Sequence, residues 1–185
     1  MLEIRWYSRA GQGAVTGAKG LADVVSTTGK HVQAFAFYGS AKRGAAMSAF
    51  NRVSDEEILT HEKYMEPNYV LVIDPALTYS TDITENCNED TVYIITSHLS
   101  KEELIKSQPT LEGKKVFVLD CMTIARETIG RAIPNTPMLG ALMKVSEMYE
   151  MDFFLENMKR VLKKLPQKII DGNMLAIQRA YDEVN

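Results

Sequence analysis

The chain has 185 residues, of which 45% are hydrophobic and 24% charged, and its formal net charge is −3. This length and composition are typical of one globular domain with a full core. A mildly acidic chain without a strong local basic patch gives no reason to expect nucleic acid or an acidic membrane surface as a partner. No apolar run reaches the roughly 18 residues of a membrane span, and no leader pattern precedes the first strand, so we expect a cytoplasmic protein.

A glycine-rich turn at residues 8–17 is the most informative feature of the sequence, which reads Ser-Arg-Ala-Gly-Gln-Gly-Ala-Val-Thr-Gly there. Gly11 and Gly13 have no side chain to keep an anion from the backbone, and a helix start favours negative charge. The turn is therefore a candidate phosphate site. Small and apolar residues then repeat on one face of the predicted helix, at Ala14, Gly17, Ala18, Leu21, Ala22 and Val25.

The glycine pattern approximates a dinucleotide fingerprint, but such short patterns also occur in turns that bind nothing. An NAD site requires an acid at the end of the second strand to hold the ribose hydroxyls. Here the second predicted strand, His31 to Phe35, is followed by the cationic pair Lys42 and Arg43, and no acid occurs before Asp55. The sequence therefore disfavours NAD as the ligand. It is compatible with a ligand that carries one phosphate more than NAD does.

Short apolar runs alternate with helical patterns along the first 135 residues, which is typical of βαβ units. We predict an α/β fold with a doubly wound, mostly parallel, Rossmann-like sheet. One run, Met47 to Val53, is also compatible with antiparallel pairing as a return from the glycine loop. The predicted strands are Leu2 to Tyr7, Val32 to Phe35, Met47 to Val53, Tyr69 to Ile73, Val92 to Ile95 and Val116 to Leu119.

From Met138 onward the pattern is helical, with two apolar stripes separated by Pro166. Such stripes indicate core and subunit-contact surfaces rather than a cofactor site. We therefore predict a single domain over residues 1–185, with an α/β core at about 1–135 and a helical tail at about 136–185. The stripes consist of Met151, Phe154, Leu155, Met158, Val161 and Leu162, and of Ile170, Met174, Ile177 and Tyr181.

Few residues have the context of a catalyst or a metal ligand. Cys87 and Cys121 form no C-x-x-C motif, so this chain alone is not expected to ligate an iron–sulfur cluster or a structural zinc. We expect Cys121 to be a core residue at a strand end. Asp74 and Asp120 follow two strands, where an acid usually caps the next helix or ends the strand in water. The alternative for Asp74 is that it faces a ligand, because open α/β sheets bind at the carboxyl ends of strands.

Three stretches occur in a distinctive order along the chain. They are Ile4-Arg5-Trp6 with Arg9 to Ala14, then Val32 to Gly39 with Lys42 to Ala45 and Phe50-Asn51-Arg52, and finally Ile133 to Ala141. Together they resemble the gamma subunit of the 2-oxoacid:acceptor oxidoreductases. The last stretch, Ile-Pro-Asn-Thr-Pro-Met-Leu-Gly, is most similar to the pyruvate enzymes, pyruvate:ferredoxin or pyruvate:flavodoxin oxidoreductase. The resemblance covers nearly the whole chain.

This resemblance implies a subunit of a complex that converts pyruvate and CoA to acetyl-CoA and CO2 and passes electrons to ferredoxin or flavodoxin. In the family, thiamine diphosphate, Mg and the 4Fe-4S clusters are held by the partner subunits alpha, beta and delta. The gamma domain would help to hold CoA, and no catalytic residue is expected in it.

Carried onto this sequence, the resemblance implies a phosphate site whose members are Ser8, Arg9, Gly11, Gln12, Gly13, Lys42 and Arg43. The sequence departs from the commoner pattern, since Ser8 and Ala10 replace glycines and Ala41 replaces an acid. An intersubunit salt bridge is the alternative for Lys42 and Arg43.

A third motif, Asn135-Thr136-Pro137, is interpreted first as a helix start. Asn135 or Thr136 would cap this helix, and Pro137 would lie in its first turn. Subunit docking is the second interpretation of the motif.

Two other functions stay open at this point. An NADP-dependent reductase would fit the glycine turn and the cationic pair, although no catalytic acid or Tyr-x-x-x-Lys arrangement accompanies them. A structural adaptor without a ligand would use the turn for tight packing and the methionine-rich helices to contact other subunits.

Overall fold

The computed structural model describes residues 1–38, 45–60 and 66–185. Its strands are β1 (Leu2–Arg9), β2 (His31–Tyr38), β3 (Ala46–Ser54), β4 (Tyr69–Val72), β5 (Val92–Thr96) and β6 (Lys115–Leu119). They form one sheet in the order β2-β3-β1-β4-β5-β6. The pairs β1–β4, β4–β5 and β5–β6 are parallel, whereas β3 is antiparallel to both β1 and β2. Among the described strands only β3 runs in the opposite direction, which confirms a mostly parallel sheet and the antiparallel alternative for Met47 to Val53.

In the described ranges the helices cover the two faces of the sheet unequally. The helices are α1 (Ala14–Ser26), α2 (Leu77–Ser80), α3 (Lys101–Ser107), α4 (Cys121–Ile129), α5 (Asn135–Ser146), α6 (Met151–Val161) and α7 (Gln167–Glu183). The larger core consists of residues from the helices α1, α4, α5, α6 and α7 and of sheet residues such as Ile4 and Leu71. The smaller core joins α2 and α3 with Val70 and Tyr93 on the other face. Helices on both faces are the doubly wound arrangement that the sequence predicts.

The second strand is longer than predicted. β2 continues past Phe35 to Tyr38 because it pairs with β3 along its whole length, from His31 opposite Ser54 to Tyr38 opposite Met47. Phe35 also stacks on Phe50 of β3, with ring centroids 5.1 Å apart. Cross-strand pairing of this kind decides the strand end, and a single-strand pattern does not show it.

Small residues let α1 lie close to the sheet. A Cβ built on Gly17 would lie 3.1 Å from Cζ3 of the buried Trp6. The indole nitrogen of Trp6 donates to Oδ1 of Asn51 at 2.9 Å, and Nδ2 of Asn51 donates to the carbonyl oxygen of Ala18 at 2.8 Å. These contacts join β1, β3 and α1, so they hold the start of α1 in place relative to the end of β1.

The C-terminal helices contact one another through glycines. A Cβ built on Gly140 of α5 would lie 2.0 Å from the carbonyl oxygen of Ile177 in α7, so these two helices touch through their backbones. Pro166 immediately precedes α7 and separates it from α6, as predicted. None of the described helices is long and apolar enough to cross a membrane.

Candidate functional site

The glycine turn lies at a topological switch point of the sheet. After β1 the chain enters α1, whose Leu21 belongs to the core on one face, whereas after the neighbouring parallel strand β4 it enters α2, whose Leu77 belongs to the core on the other face. The carboxyl ends of β1 and β4 therefore flank the switch point. Open α/β sheets bind their ligands at such a point, outside the carboxyl ends of the strands.

The polar side chains of the turn hold the turn itself. Nε2 of Gln12 donates to Oδ2 of Asp74 at 2.8 Å, and Nε of Arg9 donates to the same oxygen at 3.0 Å. Oε1 of Gln12 accepts from the backbone N–H of Arg9 at 2.8 Å, and the Ser8 hydroxyl donates to the Arg9 carbonyl oxygen at 3.0 Å. The other carboxylate oxygen of Asp74 accepts from the backbone N–H of Ala76 at 2.9 Å. Asp74 thus joins the turn after β1 to the end of β4.

The backbone of the turn takes a left-handed conformation at two glycines. Gly11 and Gly13 have φ values of 93° and 90°, in the left-handed region that favours glycine. Gly13 occupies the N-cap position of α1, where no side chain caps the helix and the first turn contains no acid. The first N–H groups of a helix have no intrahelical partner, and with the positive end of the helix dipole they favour an anion. A Cβ built on Gly11 would meet no described residue within 4 Å, so the described part of the chain leaves the space in front of Gly11 open to a ligand.

A second helix begins against the same turn. A Cβ built on Gly13 would lie 2.9 Å from both Cγ and Nδ2 of Asn135, the first residue of α5. The predicted capping role of Asn135 or Thr136 is wrong, because Pro134 occupies the N-cap position and no side chain caps α5. Thr136 instead donates from its hydroxyl to Oδ1 of Asn173 at 2.8 Å. Pro137 lies in the first turn of α5, as expected.

The structure brings five of the predicted site residues together in one turn: Ser8, Arg9, Gly11, Gln12 and Gly13. Lys42 and Arg43, the predicted cationic partners, lie outside the described residues. Asn135 lies against the candidate site, although the sequence predicts it as part of a helix start or, in the second interpretation, of a subunit-docking surface. No local sequence signal relates residues so far apart, and only the packing of α5 against α1 brings them into contact.

Outside this turn, the described residues offer few reactive groups. Cys121 is buried as the first residue of α4, and burial raises the pKa of its thiol to about 12, so it is an inert core residue. Asp120 caps α4 by accepting from the backbone N–H of Thr123 at 3.0 Å, as expected. Within residues 1–38, 45–60 and 66–185, no group of three or more His, Cys, Asp or Glu side chains could hold a metal ion.

The fold and the turn define a class: an α/β domain with an uncapped, glycine-rich helix start at the switch point of its sheet. Comparison with known proteins gives the family within this class. Residues 3–183 match the model of the pyruvate ferredoxin/flavodoxin oxidoreductase family. The chain therefore belongs to this family, which confirms the resemblance recognised in its sequence motifs.

Curated relatives match the chain over its whole length. It is 40% identical over 183 residues to the pyruvate synthase subunit PorC of Thermotoga maritima, covering 98% of this chain and 94% of that protein. It is 36% identical over 183 residues to the common gamma subunit of the pyruvate/ketoisovalerate oxidoreductases of Pyrococcus furiosus, covering 99% and 97% of the two chains.

Solved structures show the same fold. The crystal structure of the pyruvate oxidoreductase subunit PORC of Thermotoga maritima aligns with a TM-score of 0.84 at 40% identity, over 100% of this chain and 97% of that one. A 2-oxoglutarate:ferredoxin oxidoreductase from Magnetococcus marinus, solved with 2-oxoglutarate, coenzyme A and succinyl-CoA bound, aligns with a TM-score of 0.76 at 17% identity. The alignment covers 98% of this chain and 30% of that longer one, and at this identity it shows the fold alone.

Proposed function

We propose that this chain is the gamma subunit of a pyruvate:ferredoxin or pyruvate:flavodoxin oxidoreductase. The match of residues 3–183 to the family model and the full-length similarity to PorC support this assignment. The complex would convert pyruvate and CoA to acetyl-CoA and CO2 and pass two electrons to a low-potential carrier. Thiamine diphosphate, Mg and the 4Fe-4S clusters would be held by the alpha, beta and delta subunits.

The role that we assign to this chain is to hold CoA. The observation that carries this proposal is the uncapped N-terminus of α1 behind Gly11 and Gly13, at the switch point between β1 and β4. The backbone N–H groups there are suited to a phosphate of CoA. Ser8, Gln12 and Asp74 keep the turn in shape through their hydrogen bonds.

Cationic side chains would complete the phosphate site. The side chain of Arg9 is 36% exposed, so it borders both Asp74 and the solvent beside the turn. Lys42 and Arg43 are proposed as further partners, and the guanidinium of Arg43 is suited to bidentate pairing with a phosphate. The chain's contribution to catalysis is then positional: a CoA whose phosphate end is held correctly meets its reaction partner locally instead of by a bimolecular encounter.

Gly11→Ala tests this role, with Gly29→Ala as a matched control. Both glycines have positive φ, 93° and 80°, and a Cβ at either would meet none of the described residues within 4 Å. Both substitutions therefore introduce similar backbone strain, but Gly11 precedes α1, whereas Gly29 follows it. In the assembled complex the methyl group of Gly11→Ala would keep a phosphate from the backbone N–H groups. We therefore expect the apparent KM for CoA to rise by about tenfold or more, the effect of losing a hydrogen bond to a charged group. Gly29→Ala should leave that KM unchanged.

Two further measurements separate the parts of the proposal. Anaerobic co-purification with larger subunits, followed by pyruvate- and CoA-dependent viologen reduction, tests the assignment as a subunit. Arg43→Ala should raise the apparent KM for CoA and leave CoA-independent decarboxylation of pyruvate intact. An unchanged KM for CoA in Gly11→Ala and Arg43→Ala complexes would contradict the CoA-holding role while leaving the subunit assignment in place. Weaker assembly, with unchanged CoA kinetics in the complex that still forms, would instead support a purely structural adaptor.

A further inference from the structure

The start of α5 presents an unpaired amide donor to the glycine turn. Asn135 is only 9% exposed, and its Nδ2 atom lies 2.9 Å from the place where a Cβ of Gly13 would be. Its Oδ1 atom lies 3.5 Å from the hydroxyl of Thr136, which makes its shorter hydrogen bond, of 2.8 Å, to Asn173. Within the part of the chain that the structure describes, Nδ2 of Asn135 donates no hydrogen bond. The residue is largely buried, yet Nδ2 is not among the fully buried unpaired side-chain atoms of the described residues, so this N–H group is accessible as a donor to a ligand.

Two helix N-termini converge at this donor. α1 has 13 residues and α5 has 12, and neither has a side-chain cap or an acidic residue in its first turn. Ala14 is buried at the start of α1, although Thr16 is exposed, and Asn135 and Thr136 are buried at the start of α5. The first N–H groups of an uncapped helix have no intrahelical partner, and two such starts add their positive dipole ends at one place.

We infer that a phosphate group binds between the N-termini of α1 and α5, and that Nδ2 of Asn135 donates a hydrogen bond to it. This inference rests on the proposed phosphate-holding function of the glycine turn and adds a second helix and a side-chain donor to it. The ligand class is a diphosphate, either the diphosphate of CoA or the free inorganic ion. Asp74, the nearby carboxylate, does not oppose such a ligand with an unbalanced charge, since Arg9 contacts it at 3.0 Å.

The substitution Asn135→Asp distinguishes a ligand contact from a structural role. Aspartate has nearly the same shape as asparagine, and a negative charge in the first turn of a helix is favourable to folding. The carboxylate removes the N–H donor, however, and repels an anion. Asn86→Asp is the matched control, because Asn86 is exposed and lies in the loop that leads into the amino end of β5. Its φ is 57°, a left-handed conformation that both Asn and Asp can adopt.

The experiment is titration calorimetry on the full-length chain with inorganic pyrophosphate and, separately, with CoA, in buffer without phosphate. We expect the wild-type chain and Asn86→Asp to bind both ligands with the same affinity. Asn135→Asp should bind both at least about tenfold more weakly, as expected when a hydrogen bond to a charged group is lost. Should Asn135→Asp fail to fold, Asn135→Ala removes the donor without adding a charge and should also weaken binding by about tenfold.

The two ligands and the variants separate the inference from the proposed function. Equal binding by wild type and both Asn135 variants would overturn the inference, and CoA binding would still support the role of the glycine turn. Pyrophosphate binding that is lost in Asn135→Asp, without any CoA binding, would support the inference and contradict CoA as the ligand. A wild-type chain that binds neither ligand would overturn both.

Discussion

Three glycines with nearly the same backbone conformation have different surroundings. Gly11, Gly13 and Gly29 have φ values of 93°, 90° and 80°. A Cβ at Gly11 or Gly29 would meet no atom within 4 Å in the described ranges, whereas at Gly13 it would lie 2.9 Å from Asn135. We predict that alanine costs about 1–2 kcal/mol of folding free energy at each position through backbone strain. At Gly13 it should cost a further ~1–3 kcal/mol through overpacking.

Urea unfolding of the full-length chain measures these differences. Phosphate-free buffer removes any stabilisation by a bound anion. With an unchanged slope, Gly13→Ala should unfold at a lower urea midpoint than the other two variants. In thermal unfolding its Tm should lie roughly 2–12 °C below theirs.

A double-mutant cycle identifies Asn135 as the cause of the additional cost. Asn135→Ala removes the Cγ and Nδ2 atoms that lie 2.9 Å from the new methyl group and keeps only its Cβ, at 3.2 Å. In that background, Gly13→Ala should cost less, with a coupling of about 1–3 kcal/mol. Equal costs at all three glycines, or strict additivity in the cycle, would refute the contact that defines the site.

Three other predictions concern the core. Gly140→Ala places a Cβ 2.0 Å from the carbonyl oxygen of Ile177 and should lower the free energy of unfolding by about 3 kcal/mol or more. An unchanged urea midpoint would contradict the backbone contact between α5 and α7. Glu3→Gln removes the carboxylate that accepts from Nε of the buried Arg52 at 2.9 Å. It should lower the free energy of unfolding by about 3 kcal/mol in the same assay. A urea midpoint equal to that of the wild type would show that this ion pair does not stabilise the fold. Burial raises the pKa of the Cys121 thiol from 9.0 to about 12, so the unfolded chain releases this proton first. The contribution of Cys121 to the free energy of unfolding should be fully retained below about pH 9 and should fall towards pH 12. In Cys121→Ala the fall of the unfolding free energy over this range should be shallower. Parallel pH profiles of the variant and the wild type would disprove this.

Local patterns were sufficient for much of the fold and for the place of the turn. The alternation of apolar strands and helical stretches is a short-range property, and it identified β1, α1 and the parallel half of the sheet. The position of β3 between β2 and β1 was left open, because antiparallel insertion depends on cross-strand pairs such as Phe35 with Phe50. Strand order is a property of pairing, which one strand's sequence does not contain.

The candidate site was harder to predict because polar side chains in a turn can face a ligand or brace the loop. Gln12 and Ser8 were proposed as ligand contacts, yet their hydrogen bonds run within the turn and to Asp74. Asn135 was proposed as a cap, since asparagine is favoured at that position. Pro134 takes the N-cap position instead, and the carboxamide of Asn135 lies against Gly13. That contact exists only after α5 has packed on α1.

The surroundings of Asp74 explain how a carboxylate and a phosphate site can be neighbours. Its oxygens accept from Nε of Arg9, Nε2 of Gln12 and the backbone N–H of Ala76, so its charge is balanced within the fold. These bonds use the side chain of Gln12 to hold the turn, which leaves the backbone N–H groups at the start of α1 to meet a ligand. Backbone donors do not depend on which side chain a residue has. The departures from the family pattern at Ser8 and Ala10 can therefore alter the bracing of the turn without removing the donors that we propose for the phosphate.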